Sequence, residues 1–103
     1  MQYNKLVRDK IPAIIMENDG KVAVVRTLSG SALTDALMTK LDEELSEFRN
    51  DRSDGEMADI LEVLYALAGN SDGDWARVER VRQTKREERG GFEQGVFLEE
   101  VPD

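Results

Sequence analysis

The chain has 103 residues, 22 of them acidic and 14 basic, so its formal net charge is −8, and it contains neither cysteine nor histidine. This length predicts one domain, residues 1–103, and the acidic balance argues against duplex nucleic acid as a partner. A thiol nucleophile, a Ser-His-Asp triad and a His-ligated zinc site are excluded, and neither a P-loop nor a GxGxxG motif occurs. Catalysis would therefore have to use carboxylates, Lys, Arg, Tyr, the backbone and a metal.

Membrane and export signals are not recognisable in the sequence. No stretch reaches the length and apolarity of a membrane helix, and no signal peptide opens the chain. We therefore expect no membrane partner and a cytoplasmic location.

The first predicted element is a short helix over residues 7–17. Pro12 is tolerated if it lies in the first turn of this helix, which would then begin near Lys10 or Ile11. Asp19-Gly20 is a turn signal that ends the helix. The β-branched stretch at residues 22–28 predicts a connector or a short strand.

Two longer helices are predicted in the middle of the chain. Ser29 or Ser31 can cap the first, which runs to a break at residues 50–55. The next begins at about Asp54 or Gly55, ends at Ala68 and is followed by Gly69-Asn70.

A fourth helix is predicted from Trp75 to about Arg89. Asp72 or Asp74 can cap its start, and Gly90-Gly91 ends it. Four helices with short connections predict an all-α fold, a small four-helix bundle with short extended segments at both ends of the chain. The tail at residues 92–101 alternates weakly and is the extended segment at the C-terminal end.

The second predicted helix carries acids on its apolar side. At about 100° per residue, its leucines and Phe48 form one stripe. Glu44 falls inside that stripe and Glu47 flanks it, while Glu43 turns toward the opposite edge. Because burying an unpaired carboxylate costs much free energy, Glu44 is expected to have a partner.

The third predicted helix is apolar nearly all round. From residue 57 to 68 its only polar side chains are Asp59 and Glu62, apart from the Tyr65 hydroxyl, which indicates a core helix. Asp59 and nearby Glu56 are thus expected to be surrounded by protein, although an acid such as Glu56 in a first turn also suits the helix dipole. One chain this short can hardly cover such a helix, so we expect a homodimer or higher homo-oligomer.

The two acidic pairs together predict a metal site. Glu44 with Glu47, and Glu56 with Asp59, have the i, i+3 spacing that puts both carboxylates on one helix face. Clustered carboxylates repel each other unless a cation joins them, and oxygen ligands favour magnesium or manganese. We therefore expect Mg²⁺ as the cofactor, with Mn²⁺ as an alternative, and metal-dependent phosphate chemistry.

Two groups of cations are candidates for binding phosphates beside that site. Lys85 and Arg89 project from the side of the fourth helix that carries Trp75, Val78 and Val81. A second basic cluster opens the chain. Such groups beside a carboxylate–metal cluster would bind a polyphosphate. The ordinary alternative is a solvated helix end whose cations suit the dipole.

Four segments, in this order, resemble one known family: YNKLVRDKIP at residues 3–12, LDEE with Glu47, EMAD at 56–59, and RGGF at 89–92 followed by Phe97-Leu98. They are similar to the phosphoribosyl-ATP pyrophosphohydrolase-like branch of the all-α nucleotide pyrophosphatases, the superfamily that includes MazG. The resemblance spans nearly the whole chain, and its most specific parts are the opening decapeptide and RGGF. It departs from typical MazG proteins in the short interval of eight residues between the two acidic pairs.

The resemblance implies a helical bundle, commonly dimeric or higher, that hydrolyses a nucleoside triphosphate between its α and β phosphates with magnesium. It implies these metal ligands: Glu44, Glu47, Glu56 and Asp59. It implies that Glu43 orients or deprotonates the attacking water. It implies these phosphate-binding residues: Lys85, Arg89, and, from the opening segment, Lys5, Arg8 and Lys10.

Three functional interpretations follow from these patterns. The first is a nucleoside triphosphate pyrophosphohydrolase that yields monophosphate and pyrophosphate, in nucleotide-pool housekeeping. The second keeps the site but takes phosphoribosyl-ATP as substrate. The third is a non-enzymatic helical binding or assembly module whose acids form a solvated or partner-facing seam.

Overall fold

The computed structural model describes residues 3–70 and 73–103. Over those residues the chain forms four α-helices and no strand: α1 (Ile11–Asp19), α2 (Gly30–Asn50), α3 (Asp54–Gly69) and α4 (Trp75–Arg89). The prediction of an all-α fold with four helices is confirmed.

The start of α1 is at Ile11, one of the two starts that Pro12 favours, and not at residue 7. Residues 7–10 precede the helix, which begins at Ile11 and contains Pro12 in its first turn. A helix begun at Val7 would place the proline ring in its interior, where it removes a hydrogen bond and clashes with the preceding turn. At the other end Gly20 adopts a left-handed φ of 66° and its N–H donates to the Met16 carbonyl at 3.0 Å, which ends the helix.

The starts of α3 and α4 are set by local side-chain caps. Ser53 Oγ accepts from the Glu56 backbone N–H at 3.2 Å. Asp74 Oδ1 accepts in the same way from the Arg77 N–H at 2.8 Å, while Asp72, the other predicted cap, lies outside the described residues. These bonds satisfy backbone donors that no intrahelical carbonyl can reach, so each helix begins where its cap residue stands.

The core lies between α2 and α3. These two helices pack against each other over their length, and the buried apolar residues that the structure records there are Leu37, Val63 and Ala68. The Asn70 side-chain amide donates to the Gly30 carbonyl at 3.0 Å and to Thr34 Oγ1 at 2.9 Å. It thereby ties the end of α3 to the start of α2 and fixes the hairpin as antiparallel.

The other helices stand largely apart from this hairpin. α4 contacts α3 near the connection between these two helices, where the ring centroids of Tyr65 and Trp75 lie 4.0 Å apart. Val78 and Val81, on the expected inner face of α4, are exposed. Among the described helices α1 packs on no other. The radius of gyration is 18.4 Å, whereas a compact domain of 100 residues has about 13 Å. The single chain is therefore extended.

The segments between and after the helices are irregular. Residues 21–29, where a connector or short strand was expected, form a connector without regular structure. The tail has a turn in which the Gly95 N–H donates to the Phe92 carbonyl at 3.0 Å. None of the helices described here combines the length and the apolarity needed to cross a bilayer.

Candidate metal centre

Three carboxylates meet where α2 passes the first turns of α3. Glu44 comes from α2, and Glu56 and Asp59 come from α3. One oxygen of each lies within 4.8 Å of an oxygen of both others. The antiparallel hairpin causes this meeting, because it sets the second half of α2 against the start of α3.

Two oxygens of this triad (Glu44, Glu56 and Asp59) are buried and have no hydrogen-bond partner among the described residues. Glu44 is only 8% exposed, and its Oε1 lies 3.5 Å from Lys40 Nζ. Its other oxygen, Oε2, and Glu56 Oε2 are buried and accept no hydrogen bond from the described residues. Since buried acceptors nearly always have a partner, these oxygens require one from outside the described residues, either a water molecule or a cation.

The electrostatics of Glu56 agree with that interpretation. Partial burial, and next the negative charge of Glu47, raise the pKa of Glu56 above its ordinary value of 4.5. The charges of Asp59 and Glu44 raise this pKa further. A cation among the carboxylates would oppose each of these effects.

The donor set fits a hard divalent cation. All three groups offer oxygen and none offers nitrogen or sulfur, which is the preference of magnesium, manganese and calcium. The triad could therefore hold Mg²⁺ or Mn²⁺, with the remaining positions taken by water or phosphate oxygens.

Glu47 and Glu43 lie beside the triad rather than in it. Glu47 is exposed, although its charge is close enough to act on Glu56. Glu43 is also exposed, and its Oε2 lies 3.7 Å from the Nζ of Lys40. Lys40 thus neutralises part of the charge on this side of α2. Its i, i+4 spacing from Glu44 was the sequence signal for this pairing.

Arg8 reaches the triad from the opening segment. Its Nη2 donates to Asp59 Oδ1 at 2.7 Å, and its Nη1 lies 4.0 Å from Glu62 Oε1. Lys5 and Lys10 are exposed and make no ion pair within the described part of the chain. Of the three opening cations, Arg8 is the one that the structure brings to the acids.

Lys85 and Arg89 lie elsewhere in this chain. Both are exposed, and both line an open cleft of about 690 Å³ at the C-terminal end of α4 together with Phe92. In residues 3–70 and 73–103 neither forms an ion pair with the triad. A single chain therefore keeps these two cations apart from the carboxylates.

Comparison with known proteins gives one short similarity. No family model and no solved structure matches the chain. An uncharacterized protein of Mycolicibacterium smegmatis (strain ATCC 700084 / mc(2)155) is 49% identical over 45 residues, which are 44% of this chain and 45% of that protein. The similarity covers less than half of either chain, and the name of the relative states no activity.

Proposed function

We propose that this protein is a magnesium-dependent nucleotide pyrophosphohydrolase that cleaves a nucleoside triphosphate between its α and β phosphates. The observation that carries the proposal is the triad, with two buried carboxylate oxygens that accept no hydrogen bond from the described residues. The resemblance of four sequence segments to the all-α nucleotide pyrophosphatases supports the choice of reaction.

The reaction consumes one water molecule. An oxygen of that water forms a bond to the α phosphorus, the bond from this phosphorus to the bridging α–β oxygen breaks, and pyrophosphate leaves with that oxygen. The water gives up its protons to the medium or to a base, and the products are nucleoside monophosphate and pyrophosphate. Such chemistry depends on positioning and on neutralising phosphate charge, and needs neither cysteine nor histidine.

The triad is proposed to hold the cation through Glu44, Glu56 and Asp59, with Glu47 as the fourth, outer acid. A divalent cation bound there supplies charge neutralisation for the phosphate oxygens and acidifies a bound water. Glu43 is proposed to orient or deprotonate the attacking water, because the resemblance implies this role for it; its carboxylate is exposed.

The cations are proposed to bind phosphates in two groups. Arg8 already lies at the triad, so its guanidinium can exchange Asp59 for a phosphate oxygen when substrate arrives. Lys5 and Lys10 flank it in sequence. Lys85 and Arg89 would join the polyphosphate only if α4 closes onto α3 or comes from a second copy.

A second copy is part of the proposal. In the part of the chain that is described, three apolar residues are buried, while Met57, Leu61 and Leu64 of α3 are exposed. A monomer in this conformation would leave a large apolar surface in water, which favours association. We propose a homodimer or higher homo-oligomer that covers this surface.

Hydrolysis in ¹⁸O-labelled water tests the reaction. A panel of ribo- and deoxyribonucleoside triphosphates is incubated with protein and Mg²⁺, and the products are analysed by mass spectrometry. The proposal predicts pyrophosphate release with the label in the monophosphate, and loss of turnover in Asp59→Asn. The matched control is Asp54→Asn, because Asp54 is an exposed acid of the same helix outside the triad.

Three results would contradict the proposal. Label in inorganic phosphate, with diphosphate as the other product, would show attack at the γ phosphorus. Cleavage of phosphoribosyl-ATP alone would assign the second interpretation. No cleavage of any nucleotide by folded protein, with no metal binding, would leave the binding module.

A further inference from the structure

Two irregular segments of this chain expose apolar side chains. The valine segment, defined as residues 21–28, has Val22, Val24 and Val25 between 64% and 101% exposed. The C-terminal arm, defined as residues 91–103, has five large apolar side chains exposed by 75% or more: Phe92, Val96, Phe97, Leu98 and Val101. Both segments are rich in β-branched or aromatic residues, which suit pairing of extended chains.

The charges of the two segments are opposite. The C-terminal arm contains four acidic residues and no basic one: Glu93, Glu99, Glu100 and Asp103. The valine segment contains Lys21 and Arg26 and no acidic residue. Contact between the segments would therefore combine apolar burial with attraction, whereas contact between two arms would set like charges together.

Within one chain the valines of the valine segment and the large apolar side chains of the arm stay exposed. The arm follows α4, which among the described helices packs only on α3. The valine segment precedes α2. Val24 of the valine segment and Phe92 of the arm are both almost fully exposed.

We propose that the C-terminal arm of one copy packs on the valine segment of a second copy, and that the second arm does the same in return. This reciprocal contact has twofold symmetry and closes into a dimer, so it leaves no free arm to extend a filament. These contacts would add to the α3 contact in the same dimer, and the inference does not depend on the proposed catalysis.

The area available matches what a stable dimer needs. The two phenylalanines of one arm would bury about 150–250 Å² each. Each subunit both donates an arm and receives one, so it would bury about 600–1,000 Å² in these contacts. A standard interface buries about 800 Å² per partner.

Engineered cysteines test the contact directly, since the chain has none of its own. A Val24→Cys chain and a Leu98→Cys chain, with tags of different length, are mixed and oxidised. The proposal predicts a mixed disulfide dimer, and no such product when Thr84→Cys, exposed on α4, replaces Val24→Cys. Equal cross-linking of both pairs, or none of either, would overturn the proposal. So would an internal disulfide as the main product of a chain carrying both Val24→Cys and Leu98→Cys.

A charge exchange provides the second measurement. The proposal predicts that Lys21→Glu/Arg26→Glu and Glu99→Lys/Glu100→Lys each weaken dimerisation about tenfold or more, because attraction becomes repulsion. Mixing the two variants should restore a dimer of twice the 11.6 kDa chain mass in light scattering. Circular dichroism checks that each variant stays helical. Folded variants that dimerise like the unaltered chain, or whose mixture stays monomeric, would overturn the inference.

Discussion

The Glu44→Gln variant should be more stable than the unaltered protein in chelator and less stable than it in magnesium. The carboxylate of Glu44 is buried, and its Oε2 accepts no hydrogen bond from the described residues. The same holds for Oε2 of Glu56, whose carboxylate comes within 4.8 Å of that of Glu44. The amide introduced by Glu44→Gln has nearly the same shape as the carboxylate, removes one buried charge and offers a donor to Glu56. The variant should therefore be more stable than the unaltered protein in chelator.

The size of this gain follows from two opposing contributions. Satisfying a buried unpartnered group is worth about 1–3 kcal/mol. The loss of the ion pair with Lys40 costs about 0.5 kcal/mol, and Lys40 keeps Glu43 at 3.7 Å. The net stabilisation is about 0.5–2.5 kcal/mol, and each kcal/mol raises Tm by about 4–8 °C.

In magnesium the unaltered protein should be more stable than the Glu44→Gln variant. At a concentration 100 times its Kd, a ligand of the native state stabilises the unaltered protein by about 2.7 kcal/mol. The Glu44→Gln variant should lose most of this response.

Thermal unfolding at one fixed protein concentration, in chelator and in excess Mg²⁺, measures both effects. Asp42→Asn, a change outside the triad on the same helix, is the control that should respond to magnesium normally. A Glu44→Gln variant that is destabilised in chelator, or stabilised by magnesium as much as the unaltered protein, would refute the reasoning.

Three further predictions concern residues around the triad. The pKa of Glu56, followed by NMR in chelator, should lie above 4.5 and fall in Glu47→Gln, because Glu47 is the charge that raises it most. The folded state holds this proton more tightly than the unfolded state, so the contribution of Glu56 to stability should decline as pH rises above 4.5. It should reach its minimum above the folded pKa. A stability difference from Glu56→Gln that changes with pH in the opposite direction would contradict this. Asn70→Ala should lower the free energy of unfolding by about 1–3 kcal/mol in urea titrations, because it removes two hydrogen bonds to α2. An unchanged urea midpoint would show that these hydrogen bonds do not stabilise the hairpin. Arg8→Gln should tighten magnesium binding in calorimetry by at most about fivefold, because it frees Asp59 from an exposed ion pair; weaker binding would refute that competition.

The helices were predictable because their signals are local. Apolar periodicity marked α2 and α3, and Asp74 and Gly90 mark the ends of α4 in the sequence as in the structure. Pro12 alone decides where α1 begins, and the sequence left that start open between two positions. Capping and turn residues near a helix end suffice to predict that end when they themselves determine it.

The triad was partly predictable, since two helix faces that must pack together bring their acids together. Glu44, Glu56 and Asp59 meet as expected. Glu47 stays outside the triad and is exposed, although its i, i+3 spacing from Glu44 equals the spacing of Glu56 and Asp59, which both belong to the triad.

Contacts of irregular segments were not predictable in the same way. The bond from Arg8 to Asp59 joins residues 51 apart through a segment without regular structure. The exposed positions of Val78 and Val81 also had no sequence signal, because an apolar helix face does not state whether its own chain or another covers it. Helical periodicity indicates which face of a helix is apolar, and it does not identify the element or second chain that covers this face.

The most direct test of catalysis by a triad-bound metal is pyrophosphate release, measured in chelator and again after Mg²⁺ is added back. The account predicts no release from nucleoside triphosphate in chelator, release on adding Mg²⁺ or Mn²⁺, and no release at any metal concentration from folded Glu44→Gln or Asp59→Asn. Asp42→Asn should behave like the unaltered protein. Release that persists in chelator, or in both triad variants at saturating magnesium, would contradict the claim that these carboxylates hold the catalytic metal.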